Sequence, residues 1–124
     1  ATRHALNAAC VRHRKPLVSG AAIRMDGQVS VFDARRGDSP CYACVFPPTQ
    51  QVEDVACATL GVLAPLVGVI GSLQATEAIK LLCDIGEPLV GRLLMIDARR
   101  ADFTTVRVQR QHDCPVCGAA APPH

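Results

Sequence analysis

The spacing of apolar residues near the start of the chain predicts a helix followed by a β-hairpin. Within residues 3–14, one helical face carries Ala5, Leu6, Ala9, Cys10 and His13. The next run, Leu17 to Ile23, is apolar or small throughout, which predicts a strand buried on both faces. Asp26-Gly27 is a hairpin turn signal, and residues 28–32 then predict a second strand.

A long apolar segment in the second half predicts the central helix of the fold. The residues from Val62 to Cys83 favour a helix whose first half is apolar on every side, so that half is expected to be buried all round. Gly68 and Gly71 would weaken an isolated helix. We therefore expect them to allow the close approach of another element. Two later apolar runs, 92–96 and 104–108, predict further strands.

Two cysteine pairs carry the strongest chemical signal. Cys41 and Cys44 form one C-x-x-C, and Cys114 and Cys117 form another. Two such pairs can bring four thiolates to one Zn²⁺ in a tetrahedral arrangement, which predicts a closed, structural zinc site. A pair of disulfides is the main alternative, and reduced thiols without a metal are a second one. Gly118 is expected to take a left-handed conformation that closes the second pair.

Composition and charge narrow the setting. Seven cysteines are an odd number, which argues against a complete disulfide framework and favours a reducing, cytoplasmic location. The net charge of +2 is too small to indicate a nucleic-acid partner. Basic residues cluster at 12–15, Arg35-Arg36 and Arg99-Arg100, where solvated turns and helix ends explain them. The longest apolar run is shorter than a transmembrane helix, so no membrane partner is expected.

Motifs for nucleotide binding are missing from the sequence. It contains neither G-x-G-x-x-G nor G-x-x-x-x-G-K-[ST]. The histidines are scattered instead of standing at ligand spacing: His4, His13, His112 and His124. We conclude that these 124 residues lack a nucleotide-binding loop of their own.

Five segments form a specific series along the chain. They are residues 17–29 (LVSGAAI followed by GQV), 40–44 (PCYAC), 61–65 (GVLAP), 68–80 (GVIGSLQATEAIK) and 114–118 (CPVCG). In this order, and with both cysteine pairs, they resemble the ThiF/MoeB adenylyltransferases, which are bacterial relatives of ubiquitin-activating enzymes. The resemblance extends from Thr2 to Gly118 but matches only the C-terminal half of that family.

The resemblance implies a fold for the chain. It is the C-terminal half of a Rossmann-like α/β fold, with a mixed sheet, flanking helices and a structural Cys₄ zinc site. This portion would occupy residues 1–118, and residues 119–124 would form a disordered tail or linker. The N-terminal half, with the ATP loop and the catalytic Arg and Lys, is expected to be absent, so the chain alone would be inactive.

The resemblance also implies a reaction and partners for the parent enzyme. Family members use ATP and Mg²⁺ to adenylate the C-terminal Gly-Gly of a ubiquitin-like sulfur carrier, for molybdopterin or thiamine biosynthesis. A sulfur-carrier partner and a homodimer are therefore expected. A non-catalytic, zinc-stabilised module that docks a protein partner remains an alternative. An upstream G-x-G-x-x-G would decide for the enzyme.

Three further site residues rest on the resemblance. Cys57 matches a loop cysteine that bonds to the carrier in some family members, and a thiolate near a helix N-terminus is activated. The alternative interpretation, equally well supported, is that Cys57 is a free loop cysteine with no essential role. Arg3 and Asn7 match polar positions at the edge of the nucleotide site. Cys10 and Cys83, on apolar helical faces, are interpreted as small buried hydrophobes.

Overall fold

The computed structural model describes residues 2–48 and 61–119. In chain order its elements are α1 (Thr2–Arg12), β1 (Pro16–Ile23), β2 (Asp26–Asp33), α2 (Tyr42–Val45), α3 (Ala64–Cys83), β3 (Arg92–Asp97) and β4 (Asp102–Arg107). The two long helices and four strands lie where the sequence predicts them, with small shifts at their ends. The short helix α2 had no periodic signal of its own.

The strands form an antiparallel sheet in the order β1-β2-β3-β4. Ile23 pairs with Asp26, so the turn between β1 and β2 consists of Arg24 and Met25. Arg24 has a φ of 53°, and two-residue hairpin turns require a positive φ at this first position. The predicted turn at Asp26-Gly27 is therefore wrong, because these two residues already belong to β2.

The α/β class is confirmed, and the described strands supply only antiparallel pairings to the predicted mixed sheet. Parallel contacts within residues 2–48 and 61–119 are limited to two isolated bridges, Arg24–Val62 and Val31–Val90. Strand β1 lies at one edge of the sheet and is half-buried along its whole length. The expectation that it is buried on both faces is wrong, because every residue of β1 stays partly exposed and no described strand extends the sheet beyond β1.

Helix α3 packs across one face of the sheet and forms the main apolar core. Leu66 and Ile70 of the helix meet Val29 of β2 and Ile96 of β3. Full burial of such aliphatic side chains stabilises the fold by about 2 kcal/mol each. Gly27 allows the helix to lie this close, since a Cβ at this position would stand 2.7 Å from Ile70 Cδ1.

Two polar side chains of α3 anchor the helix to its surroundings. Gln74 donates from Nε2 to the carbonyl oxygen of Val18 (3.3 Å). A Cβ on Gly20 would stand 2.4 Å from Gln74 Cδ, so glycine at this position allows the Gln74 side chain to lie close to β1. Buried Glu77 accepts a hydrogen bond from the backbone N–H of Leu89 (2.6 Å). The helix is therefore held in one register against the sheet and the loop that follows.

The outer side of α3 is exposed, contrary to the prediction that its first half is buried all round. Val67 and Val69 are 49% and 43% exposed. A Cβ on Gly68 or Gly71 would meet nothing within 4 Å. By length and composition alone, α3 is apolar enough to cross a membrane, a property that core helices of soluble proteins share. The described elements cover only the side of α3 that faces the sheet.

Candidate metal centre

The first cysteine pair is held by the single turn of α2. Cys41 precedes the helix with extended backbone angles (φ −103°, ψ 174°). Its backbone N–H donates to Sγ of Cys44 (3.4 Å), and the Cys44 N–H donates to the Cys41 carbonyl oxygen (3.0 Å). The two sulfurs are 3.9 Å apart. This turn therefore presents both sulfurs to the same point.

The second pair forms a similar turn near the end of the described chain. The Val116 N–H donates to Cys114 Sγ (3.5 Å), and the Gly118 N–H donates to the Cys114 carbonyl oxygen (2.9 Å). Gly118 does not have a positive φ, so the predicted left-handed conformation is wrong. Glycine is needed here for a different reason: a Cβ would stand 2.5 Å from the Cys114 carbonyl oxygen.

The fold brings the two pairs together. Sγ of Cys41 lies 3.6 Å from Sγ of Cys114, and Sγ of Cys44 lies 3.4 Å from Sγ of Cys117. All four sulfurs lie within 4.8 Å of one another. Four ligands at about 2.3 Å from a tetrahedral Zn²⁺ are about 3.8 Å apart, whereas a disulfide requires about 2.05 Å. The cysteines are unpaired, and their arrangement fits a metal ion.

The thiols of the cluster lie close enough together to change the pKa values of Cys41, Cys44 and Cys117. The hydrogen bond with Cys41 lowers the pKa of Cys44 to about 4. Burial and then the hydrogen bond with Cys44 raise the pKa of Cys117 to about 11. The pKa of Cys41 is also raised, by its hydrogen bond with Cys44 and by burial. Adjacent thiolates repel one another, and a divalent cation removes this conflict because its charge stabilises every thiolate.

Asn7 of α1 forms hydrogen bonds with the turn that carries the first cysteine pair. It is 1% exposed, donates from Nδ2 to Cys41 Sγ (3.5 Å) and accepts at Oδ1 from the Tyr42 N–H (3.0 Å). Such outer contacts orient metal ligands. Sequence reasoning missed this role because Asn7 and Cys41 are 34 residues apart. A role at the edge of a nucleotide site remains a prediction for Asn7.

Two neighbouring residues before the second pair were also missed. The Gln111 N–H donates to Cys44 Sγ (3.4 Å). The Arg110 guanidinium donates to the carbonyl oxygen of Gly37 (2.7 Å) and to that of Cys117. These contacts tie the segment with the second pair to the turn after β2. No local motif marks either residue.

Arg3 lies at a different place, on the rim of a cavity of about 460 Å³. Its Nη1 donates to the carbonyl oxygen of Gly20 (3.3 Å). One residue from each strand forms a row across this cavity: Ala21, Gln28, Met95 and Thr104. Because side chains alternate along a strand and Gly27 faces α3, this row lies on the opposite face of the sheet. A nucleotide-site role for Arg3 remains a prediction.

The other cysteines have separate outcomes. Cys57 lies outside the described ranges, so its proposed covalent role stays a prediction. Cys10 is half-buried, whereas Cys83 is exposed. The expected burial of Cys83 is wrong because α3 is covered on one side only.

An α/β fold with a four-cysteine site is what the resemblance to the ThiF/MoeB adenylyltransferases implies. The ThiF family matches residues 1–116, and the chain belongs to this family. The resemblance inferred from the sequence motifs is confirmed by this match over nearly the whole chain.

Two relatives are identical to the chain at about half of the aligned positions. It is 48% identical over 118 residues to the molybdopterin-synthase adenylyltransferase of Escherichia coli (strain K12), covering 95% of this chain and 47% of that protein. It is 50% identical over 121 residues to the adenylyltransferase and sulfurtransferase MOCS3 of Dictyostelium discoideum, covering 95% of this chain and 28% of that protein. The chain thus spans half or less of the length of these relatives.

A solved structure confirms the fold independently. The E. coli MccB crystal structure superposes with a TM-score of 0.76 at 19% sequence identity, covering 98% of this chain and 37% of that chain. At this identity the likeness concerns the fold alone.

Proposed function

We propose that the chain is the C-terminal part of an enzyme that uses ATP to adenylate the C-terminal glycine of a ubiquitin-like sulfur carrier, in molybdopterin or thiamine biosynthesis. The observation that carries this proposal is the 48% identity to a molybdopterin-synthase adenylyltransferase over 95% of the chain. In this reaction a carboxylate oxygen of the carrier attacks the α-phosphorus of ATP. The acyl-adenylate forms, and pyrophosphate leaves.

Zn²⁺ is the metal that we propose for Cys41, Cys44, Cys114 and Cys117. Four sulfur ligands suit zinc and leave no open position for water or substrate, which is the property of a structural site. The contacts of the two C-x-x-C turns support this role, since each turn already directs backbone N–H groups at its sulfurs. In this proposal zinc links the segment with Cys114 and Cys117 to the turn of α2.

ATP and Mg²⁺ are proposed to bind mainly to a part of the enzyme that precedes this sequence. The 124 residues contain no glycine-rich nucleotide loop. Residues 1–118 would then form the C-terminal portion of the domain, with Arg3 at the edge of the nucleotide site. A cytoplasmic homodimer is part of the same proposal.

Pyrophosphate exchange tests the proposed reaction. The chain is measured alone, and again when extended by the N-terminal half of the family fold, each with a Gly-Gly carrier from the same genome. We expect exchange only with the extended protein, and none when the carrier lacks its last glycine. Exchange by the chain alone would show that the catalytic half is not absent. An extended, folded protein that exchanges with no such carrier would refute the proposed function and favour the non-catalytic interaction module.

Cys57 is tested separately in the extended protein. Adenylation uses no thiol, so Cys57→Ser is expected to retain pyrophosphate exchange. If Cys57 bonds to the carrier, the variant loses the covalent adduct that mass spectrometry detects in the unmodified enzyme. Cys83→Ser is the matched control, because Cys83 is exposed and lies at the end of α3. An adduct that persists in Cys57→Ser would exclude Cys57 as the attachment site.

A further inference from the structure

Two of the three basic clusters in the sequence meet in one groove of the fold. The residues at the end of α1 lie against the turn that follows β2, and the segment around Cys117 closes the groove. Its volume is about 540 Å³, which is the size of a small-molecule site. The cationic side chains that line it are Arg12, Arg14, Lys15, Arg35, Arg36 and Arg110.

Positive charge in this groove exceeds the negative charge around it. Among the residues that the structure describes, no carboxylate belongs to its lining. Two acids beside it, Asp33 and Asp38, pair with Arg35 (2.8 Å) and Arg36 (3.6 Å). The three cations at the end of α1 form no ion pair with any residue in the described part of the chain. The C-terminal dipole of α1 offsets only about half a charge.

The walls of the groove are held rigidly. The Arg35 guanidinium donates twice to the buried carboxylate of Asp33, from Nε (2.9 Å) and from Nη2 (2.8 Å). The Asp33 N–H donates to Ser39 Oγ (3.0 Å), which fixes the turn. Arg110 joins this turn to the segment with the second cysteine pair. These contacts therefore fix the wall of the groove that the turn after β2 and the second cysteine pair form.

The third basic cluster shows how different an ordinary charged turn is. Arg99 pairs with Asp26 (2.7 Å) and with Asp97 (3.2 Å), and Arg100 pairs with Asp102 (3.4 Å). Each arginine of this turn thus has an acidic partner within 4 Å. The cations at the end of α1 have no such partner among residues 2–48 and 61–119, although the protein carries a net charge of only +2.

We infer that this groove binds a small multivalent anion built from phosphate groups, of the pyrophosphate or tripolyphosphate class. Arginine guanidinium groups bind phosphate oxygens through paired hydrogen bonds. A ligand with several negative charges matches the four lining cations that form no ion pair with a described residue: Arg12, Arg14, Lys15 and Arg110. The same groove is lined by Cys41, Cys117 and Gly118. Anion binding is therefore expected to stabilise the metal centre, because the segment around Cys117 contributes both to the groove and to the metal site, and a bound anion favours its folded form.

Isothermal titration calorimetry with sodium tripolyphosphate at physiological salt tests the site on the protein as purified, with its metal content measured. The groove variant is Arg14→Ser with Lys15→Ser. The control is Arg99→Ser with Arg100→Ser, which removes the same charge elsewhere. We expect one tripolyphosphate per chain, affinity at least about tenfold weaker in the groove variant because charged hydrogen bonds are lost, and no change in the control. Arg12→Ser is a second, milder variant that should weaken binding in the same direction if the double variant does not fold.

Three results would overturn the inference. The first is no binding of tripolyphosphate to the metal-loaded protein at physiological salt. The second is an equal loss of affinity in the groove variant and the control, which would mean a diffuse charge effect. The third is tighter binding of a single-stranded RNA oligonucleotide than of tripolyphosphate, which would assign the charge to a macromolecule. The result is independent of pyrophosphate exchange, so it can fail while the proposed function stands.

Discussion

The cysteine end of the molecule and the outer face of α3 differ in how completely this chain satisfies them. At the cysteine end, four sulfurs lie within 4.8 Å of one another, and a buried Asn7 meets Cys41. On the outer face of α3, Val67 and Val69 stay about half exposed. Two short turns are enough to build a metal site, whereas covering an apolar helix requires further helices or strands. The comparison indicates that the described residues satisfy the polar groups of the cysteine end and leave apolar side chains of α3 exposed.

The strongest test of the cysteine end is the substitution Cys114→Ser. Binding of structural zinc contributes about 10–16 kcal/mol of folding free energy, which exceeds the total stability of most domains. We therefore expect the variant to lose its metal and its cooperative thermal unfolding. Elemental analysis and circular dichroism measure these two properties. Exposed Cys83→Ser is the control and should keep both, whereas a folded, metal-free Cys114→Ser protein would contradict a structural metal.

The exposed outer face of α3 is tested by measuring whether the chain associates. An exposed apolar surface of this kind is expected to pair with a second copy or with a separate N-terminal half. Analytical ultracentrifugation should show association that Val67→Glu with Val69→Glu abolishes. Val106→Glu on β4 is the control, since Val106 is a similarly exposed valine. A chain that stays monomeric at high concentration and has no affinity for the N-terminal half would refute this prediction.

Asn7→Ala is expected to weaken metal binding without removing a metal ligand. The substitution leaves the Tyr42 N–H without its side-chain acceptor and Cys41 without its donor. Loss of such outer contacts typically weakens metal affinity by about 10–100-fold. Competition with a zinc chelator measures this change. Leu6→Ala, at an exposed neighbouring position of α1, should leave the affinity unchanged, and equal losses in both variants would indicate a general effect on the helix.

Two glycine substitutions compare the covered and uncovered sides of α3 and have the smallest expected effects. Gly27→Ala places a Cβ 2.7 Å from Ile70 Cδ1, and this overpacking should destabilise the fold by about 1 kcal/mol. Gly68→Ala meets nothing within 4 Å and should stabilise the helix by up to about 1 kcal/mol. Urea unfolding distinguishes the two signs. Destabilisation by Gly68→Ala would show that the outer face is already packed in the isolated chain.

Predictions from the sequence were accurate where they depended on local spacing. The helices, the strands and the two C-x-x-C turns all follow from residues close together in the chain. The predicted turn at Asp26-Gly27 failed because Gly27 serves a distant contact with Ile70 instead. Gly118 failed for a related reason: a carbonyl oxygen approaches it closely, and its φ is not positive.

By itself, the sequence determined the order of the elements, the four metal-ligand candidates and membership of the family, because periodicity and C-x-x-C spacing are read within a few residues. Three facts were decided only by the tertiary structure. Asn7 donates a hydrogen bond to Cys41, and two basic clusters line one groove. The outer side of α3 is exposed. These facts depend on where segments dozens of residues apart meet. The path of the whole chain sets those meetings, and no local pattern encodes them.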